Sequence, residues 1–183
     1  MIMHTFSVYV EDQPGALNRV ASLFRRRGFN IVSLAVGHSE TPGVSRMTIV
    51  VQTDAGGAHR IEAHLYKLIH VIRVEDITER PAVIRDLALI KVSADPNSRP
   101  PIMQLAAVFG ARVVDVAPAS LVIEMAGSEA KIDGLLDVLR PYGVLEMVRT
   151  GRVAMSRGEG GRSTGAGPTA GLPEAEAGVS YSV

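Results

Sequence analysis

Cysteine and tryptophan are absent from the 183-residue chain, and only 4% of its residues are aromatic. Without cysteine there can be no disulfide framework, thiolate zinc site, iron–sulfur cluster or cysteine nucleophile. A surplus of one charge is missing as well: Lys plus Arg (19) equals Asp plus Glu (19). The balance holds locally, with nine basic and eight acidic side chains in residues 1–80, eight and eight in 81–156, and two and three in 157–183. No single-sign field therefore exists to draw in nucleic acid or an anionic membrane. No apolar run approaches the ~20 residues that span a bilayer. The opening MIMHTF lacks a basic region followed by an apolar stretch, so no signal peptide is expected. These absences predict a cytoplasmic protein that engages neither nucleic acid nor membrane.

What is present is one pattern written twice. His4 to Glu11 alternates, with Phe6, Val8 and Val10 on one side and Ser7 and Tyr9 on the other, as a half-buried strand does. Asp12-Gln13-Pro14-Gly15 follows, where Pro14 suits a first helical turn and Asp12 is expected to cap it. Leu17, Val20, Ala21 and Phe24 then mark one helix face, closed by Arg25-Arg26-Arg27 and Gly28. Asn30 to Glu40 and Ser45 to Thr53 read as strands joined at Thr41-Pro42-Gly43. A second helix carries Ile61, Leu65 and Leu68, and His70 to Thr78 is a strand again. The order repeats: strand Asp86 to Ala94, helix face Ile102, Leu105, Ala106 and Phe109, strands Arg112 to Val116 and Ser120 to Met125, helix face Ile132, Leu135, Leu136 and Leu139, strand Val144 to Arg149.

Each half is a βαββαβ unit, so the fold class is α+β: two ferredoxin-like domains, each an antiparallel four-stranded sheet with both helices on one face. The expected boundaries are 1–79 and 80–156, with a hinge at Thr78 to Val83. Domains this small have thin cores, and their uncovered sheet faces and edge strands are expected to pair with another copy. Residues 157–183 contain seven glycines, and between Arg157 and Gly178 the only large aliphatic residue is Leu172. That stretch reads as a disordered tail.

Catalytic signatures fail one after another. His59 and His64 are five apart, whereas a helical zinc pair needs four. Gly37-His38-Ser39-Glu40-Thr41 lacks the last glycine of a nucleophile elbow and joins two strands. Gly158-Glu159-Gly160-Gly161 has no Walker lysine. Arg25-Arg26-Arg27 suits a solvated helix end, and an RNA-stacking sheet would need more exposed aromatics than Tyr9. No catalytic, metal or cofactor residue is assigned to the chain.

One turn does resemble a binding site. Asp12-Gln13-Pro14-Gly15-Ala16-Leu17 would present free backbone N–H groups at a helix start, with Gly15 leaving room for a small carboxylate. An ordinary helix start needing no ligand has the same spacing. Asn97-Ser98-Arg99-Pro100-Pro101, its counterpart in the second half, lacks the glycine.

The strings Val10-Glu11-Asp12-Gln13-Pro14-Gly15-Ala16-Leu17, Leu23-Phe24-Arg25-Arg26-Arg27-Gly28-Phe29-Asn30-Ile31, Ser33-Leu34 and Ser45-Arg46-Met47-Thr48-Ile49-Val50 resemble the small regulatory subunits of acetolactate (acetohydroxyacid) synthase. The likeness covers Met1 to about Arg157, the first half resembling an ACT domain and the second an ACT-like ferredoxin domain. It implies a subunit without an active site. Such a subunit binds the large catalytic subunit, raises its activity and confers feedback inhibition by valine or a related branched-chain amino acid. Thiamine diphosphate, magnesium and FAD would belong to the catalytic chain. The resemblance also implies a homodimer through ACT domains, with effector sites between Asp12, Gln13, Pro14, Gly15, Ala16 and Leu17 of one subunit and Asn30 and Ile31 of the other. Where this chain has Asp12 the family often has asparagine. The carboxylate either crowds the effector's own or pairs with its ammonium. Alternatives are an ACT sensor acting on another enzyme or on transcription, an RNA-binding module, and a small enzyme.

Overall fold

The computed structural model describes residues 1–158. Residues 159–183, most of the stretch expected to be disordered, lie outside the described residues. The first unit runs β1 (Ile2–Glu11), α1 (Ala16–Arg26), β2 (Ile31–His38), β3 (Val44–Thr53), α2 (Ala55–Leu65) and β4 (Val71–Asp76). Its strands form a sheet ordered β2-β3-β1-β4, with antiparallel pairing throughout. Alternation along β1 sends Phe6, Val8 and Val10 to the helix side, where they meet Val20, Leu23 and Phe24 of α1 and Ile61 and Leu65 of α2. Fully burying each such side chain contributes ~1.5–3 kcal/mol, which is what holds so small a unit together.

The second unit repeats the path with β5 (Ala82–Ser93), α3 (Arg99–Val108), β6 (Arg112–Ala117), β7 (Ser120–Gly127), α4 (Glu129–Leu139) and β8 (Val144–Arg149), ordered β6-β7-β5-β8. Ala88, Ile90 and Val92 of β5 pack on Ile102 and Ala106 of α3 and on Ile132, Leu135 and Leu139 of α4. The two βαββαβ units read from the sequence are thus both present.

Three local expectations need correction. The first helix begins at Ala16, not at Pro14; Gly15 is its cap residue in a left-handed conformation (φ 85°), and Asp12 caps nothing. Leu17 is exposed, because the buried stripe runs through Ala16, Val20, Leu23 and Phe24 instead. Leu68 lies beyond the end of α2, though it still packs on the core.

The hinge is shorter than expected and the second sheet larger. β5 already begins at Ala82, and its first four residues pair with a short strand, β9 (Val153–Ser156), that periodicity did not reveal. This ribbon also covers part of the first sheet's outer face. Arg46 donates from Nη2 to Ala154 O at 2.8 Å and from Nε to Ser7 Oγ at 3.0 Å, and Ala154 is buried. Thr5, Ser7 and Thr48, all on the face away from the helices, are buried too. That face was expected to be open for a second copy. Its centre is instead occupied by the chain's own β9, because the small polar side chains there leave room for a backbone to approach.

Candidate functional site

The turn after β1 is anchored at its flanks and open in its middle. Asp12 N donates to Gly43 O at 2.8 Å, which ties the turn to the β2–β3 hairpin, and Gln13 N donates to Glu11 O at 2.8 Å. Ser45 Oγ donates to Asp12 Oδ1 at 3.2 Å, and His38 Nδ1 lies 3.6 Å from Asp12 Oδ2. The carboxylate of Asp12 is therefore drawn toward the hairpin. Ser45, His38 and Gly43 are supports that no local sequence signal marks, since they come from a hairpin more than twenty residues away.

Beyond Pro14 the main chain turns its amides outward. Ala16 N donates to Gln13 O at 3.1 Å, but the amides of Gly15, Leu17 and Asn18 have no acceptor among the described residues, and no side chain caps the helix. These are the unsatisfied donors of a helix start, carrying the positive end of its dipole. Gly15 holds the conformation at φ 85°, and a Cβ there would meet nothing within 4 Å, so the space in front of the amides is vacant. Exposed Leu17 borders it as an apolar surface.

The equivalent place in the second unit is closed. Asp95 Oδ1 accepts from Asn97 N at 2.8 Å, from Ser98 N at 2.7 Å and from Ser98 Oγ at 2.9 Å. Those three hydrogen bonds hold the Asp95 carboxyl below the usual carboxylate range. The amides just before α3 are thus taken by Asp95, Arg99 N donates to Asp95 O at 3.0 Å, and Pro100 and Pro101 carry no N–H, whereas the start of α1 keeps three amides without acceptors.

Asn30 and Ile31 do not join the turn within one chain. Ile31 sits opposite Val51, which faces His4 at the beginning of β1, whereas Asp12 follows the end of β1. The 11 residues of α1 separate the two groups by about 16 Å along the helix axis. They can share a ligand only if a second subunit brings its β2 edge to the turn.

Other candidates from the sequence find ordinary roles. Tyr9, the one stacking candidate, is half-buried with the Arg73 guanidinium 4.1 Å and that of Arg46 5.4 Å from its ring centroid. Arg25 and Arg26 occupy the last turn of α1, complementing its dipole. His64 Nδ1 lies 2.5 Å from Arg60 O on its own helix. Among the described residues no three His, Asp or Glu side chains are grouped to hold a metal, and no helix is long and apolar enough to cross a membrane.

Comparison with known proteins agrees with the duplicated fold. Residues 6–73 match the family described as the AHAS small subunit-like ACT domain, and residues 85–158 match that described as the small subunit of acetolactate synthase. A probable acetolactate synthase small subunit from Archaeoglobus fulgidus is 50% identical over 155 residues, 85% of this chain and 97% of that protein. The acetolactate synthase small subunit of Mycolicibacterium smegmatis is 51% identical over 158 residues, 86% and 93% of the two chains. The crystal structure of the Thermotoga maritima small subunit superposes with a TM-score of 0.81 at 40% identity, covering 86% of this chain and 98% of that one. On both halves of the duplicated fold, and over nearly the full length of these relatives, the chain belongs to the acetolactate synthase small-subunit family.

Proposed function

We propose that this regulatory subunit activates its catalytic partner and makes it sensitive to valine or a related branched-chain amino acid bound at the turn that opens α1. The observation that carries this reading is the contrast between the two helix starts: three amides without acceptors at the start of α1, and a start of α3 whose preceding amides bind Asp95 and whose first turn holds Pro100 and Pro101. An α-carboxylate fits the vacant amides, each charge-assisted contact contributing ~1.5–3 kcal/mol. Leu17 supplies an apolar surface for the ligand's side chain. Asn30 and Ile31 complete the pocket from the β2 edge of a second subunit, in a homodimer. Asp12, drawn toward the hairpin by Ser45 and His38, supplies the negative charge that balances the ammonium. One methylene in an apolar pocket is worth ~1–3 kcal/mol, so discrimination among valine, leucine and isoleucine is modest.

The chemistry belongs to the partner, which condenses two pyruvates, or pyruvate with 2-oxobutyrate, with loss of carbon dioxide. Thiamine diphosphate, magnesium and FAD are the catalytic chain's cofactors. Inhibition requires the effector to favour the low-activity assembly, typically by 1–3 kcal/mol.

Mixing the chain with the catalytic subunit and measuring turnover with and without valine tests the proposal. Turnover should rise on mixing and fall with valine. In Gly15→Asp the new carboxylate fills the ligand's place, so activation survives and inhibition is lost. The backbone cost there is small, because aspartate tolerates positive φ. A fully valine-sensitive Gly15→Asp complex would refute the site, and turnover unchanged by adding the chain would refute the role.

A further inference from the structure

Where the two units meet, between β2 and the segment that follows β8, they enclose a cavity of about 360 Å³ remote from the turn at Gly15. The first unit lines it with the apolar residues Met3, Val32 and Val50 and with the main chain of Leu34, whose side chain packs on the first core. The second lines it with charge, Asp86, Glu129, Arg149 and Arg152. Each guanidinium already has one carboxylate partner. Arg149 Nη2 donates to Asp133 Oδ1 at 2.7 Å. Arg152 donates from Nη2 to Glu129 Oε2 at 3.3 Å and from Nη1 to Thr5 Oγ1 at 3.1 Å.

Asp86 is left over. It is 6% exposed, yet neither of its oxygens accepts a hydrogen bond from a described residue. The nearest cationic nitrogen, Arg149 Nε, is 4.0 Å from Oδ2. Three carboxylates (Asp86, Glu129, Asp133) thus share two guanidiniums. A buried carboxylate without donors is unfavourable. Burial pushes the Asp86 carboxyl above its ordinary range, Arg149 pulls it partly back, and Glu129 raises it further.

We propose that this interdomain cavity is a second small-molecule site, taking a primary ammonium group carried on a short apolar body. The ammonium donates to Asp86 Oδ1, which has no donor among the described residues, and brings the cluster to three positive and three negative charges. The apolar body rests on Met3, Val32 and Val50. Arg149 Nε is also a buried donor without an acceptor, but a ligand offering only a carboxylate would add a fourth negative charge to three carboxylates facing two guanidiniums. The ammonium can come from a simple amine or from a zwitterionic amino acid, and the test separates these sources.

Amide ¹⁵N–¹H spectra of the full chain, followed at Ser33, Gly151 and Arg152, are titrated with isobutylamine, valine and isobutyrate, which share one branched body. Isobutylamine should shift these amides saturably and isobutyrate should not. Asp86→Asn should weaken the amine at least about tenfold, the loss expected for one charge-assisted hydrogen bond. Val32→Lys, at an exposed position on the cavity wall, places a tethered ammonium in the site and should block the amine without relying on the buried position. Shifts by valine that survive Gly15→Asp but not Asp86→Asn identify an amino acid as the source. Absence of saturable shifts with both amine and valine, equal shifts with isobutyrate, or undiminished amine binding in Asp86→Asn and Val32→Lys would overturn the proposal.

Discussion

Replacing Gly151 with alanine tests the seam between the two units. Gly151 has φ 80°, and a Cβ built there falls well inside the contact distance of Ser33 Oγ. Arg152 N, the next amide, donates to that same Ser33 Oγ at 2.9 Å. The left-handed backbone costs an alanine about 1–2 kcal/mol. The overlap forces Ser33 and the 150–152 segment apart, losing a hydrogen bond worth about 0.5–1.5 kcal/mol. Gly151→Ala should therefore destabilise the chain by about 1.5–3.5 kcal/mol in total. Ser33→Ala loses only the hydrogen bond. In the double variant that bond is lost once, and the remaining neighbours of the new Cβ, Ser33 Cβ at 3.6 Å and Leu34 N at 3.8 Å, are at ordinary distances. Urea denaturation at one protein concentration should thus find the double variant no less stable than Gly151→Ala, a coupling of about 0.5–1.5 kcal/mol. Strict additivity would show that Gly151 and Ser33 do not meet.

Three further perturbations probe other links. Asp86 and Asp95 should bend the stability–pH curve in opposite senses. The folded chain holds the Asp86 proton more tightly, so relative to Asp86→Asn it loses stability as pH rises above 3.8 through the raised pKa. The folded chain releases the Asp95 proton more readily, so relative to Asp95→Ala its advantage is present above 3.8 and disappears as pH falls below it. Urea midpoints across the acid range check both signs, and a curve unchanged by either variant would contradict the assignments. Arg46→Ala removes the donors to Ala154 O and Ser7 Oγ, and hydrogen exchange in Val153–Ser156 should quicken about tenfold; unchanged exchange would mean that β5 alone holds β9. Ile90→Ala, at a fully buried position, should cost about 2–5 kcal/mol in the same denaturation assay, and less than 1 would place Ile90 outside the core.

The duplicated order of elements was legible because each strand and helix is half-buried, and one-sided burial imprints its period on the sequence. Phe6, Val8 and Val10 alternate, and Ile132, Leu135 and Leu139 recur every three to four residues, because one face of each element meets the core. The α1 turn was legible through Pro14 and Gly15, whose constraints are local. Helix starts were less so: the stripe Leu17, Val20, Ala21, Phe24 and the actual stripe Ala16, Val20, Leu23, Phe24 differ by a small rotation that only packing against β1 resolves. β9 escaped notice because four residues, Val153 to Ser156, are too few to display a period.

The residues alone determined that this chain would be two small α+β units with a glycine-opened helix start in the first, since backbone freedom and side-chain periodicity act over neighbouring positions. Tertiary structure decided that Asp12 turns to Ser45 and His38, that β9 covers the first sheet, and that Asp86 is stranded between Arg149 and Glu129. Each of those outcomes depends on groups far apart along the chain, whose distance and shared burial come into being only when the two units close on one another.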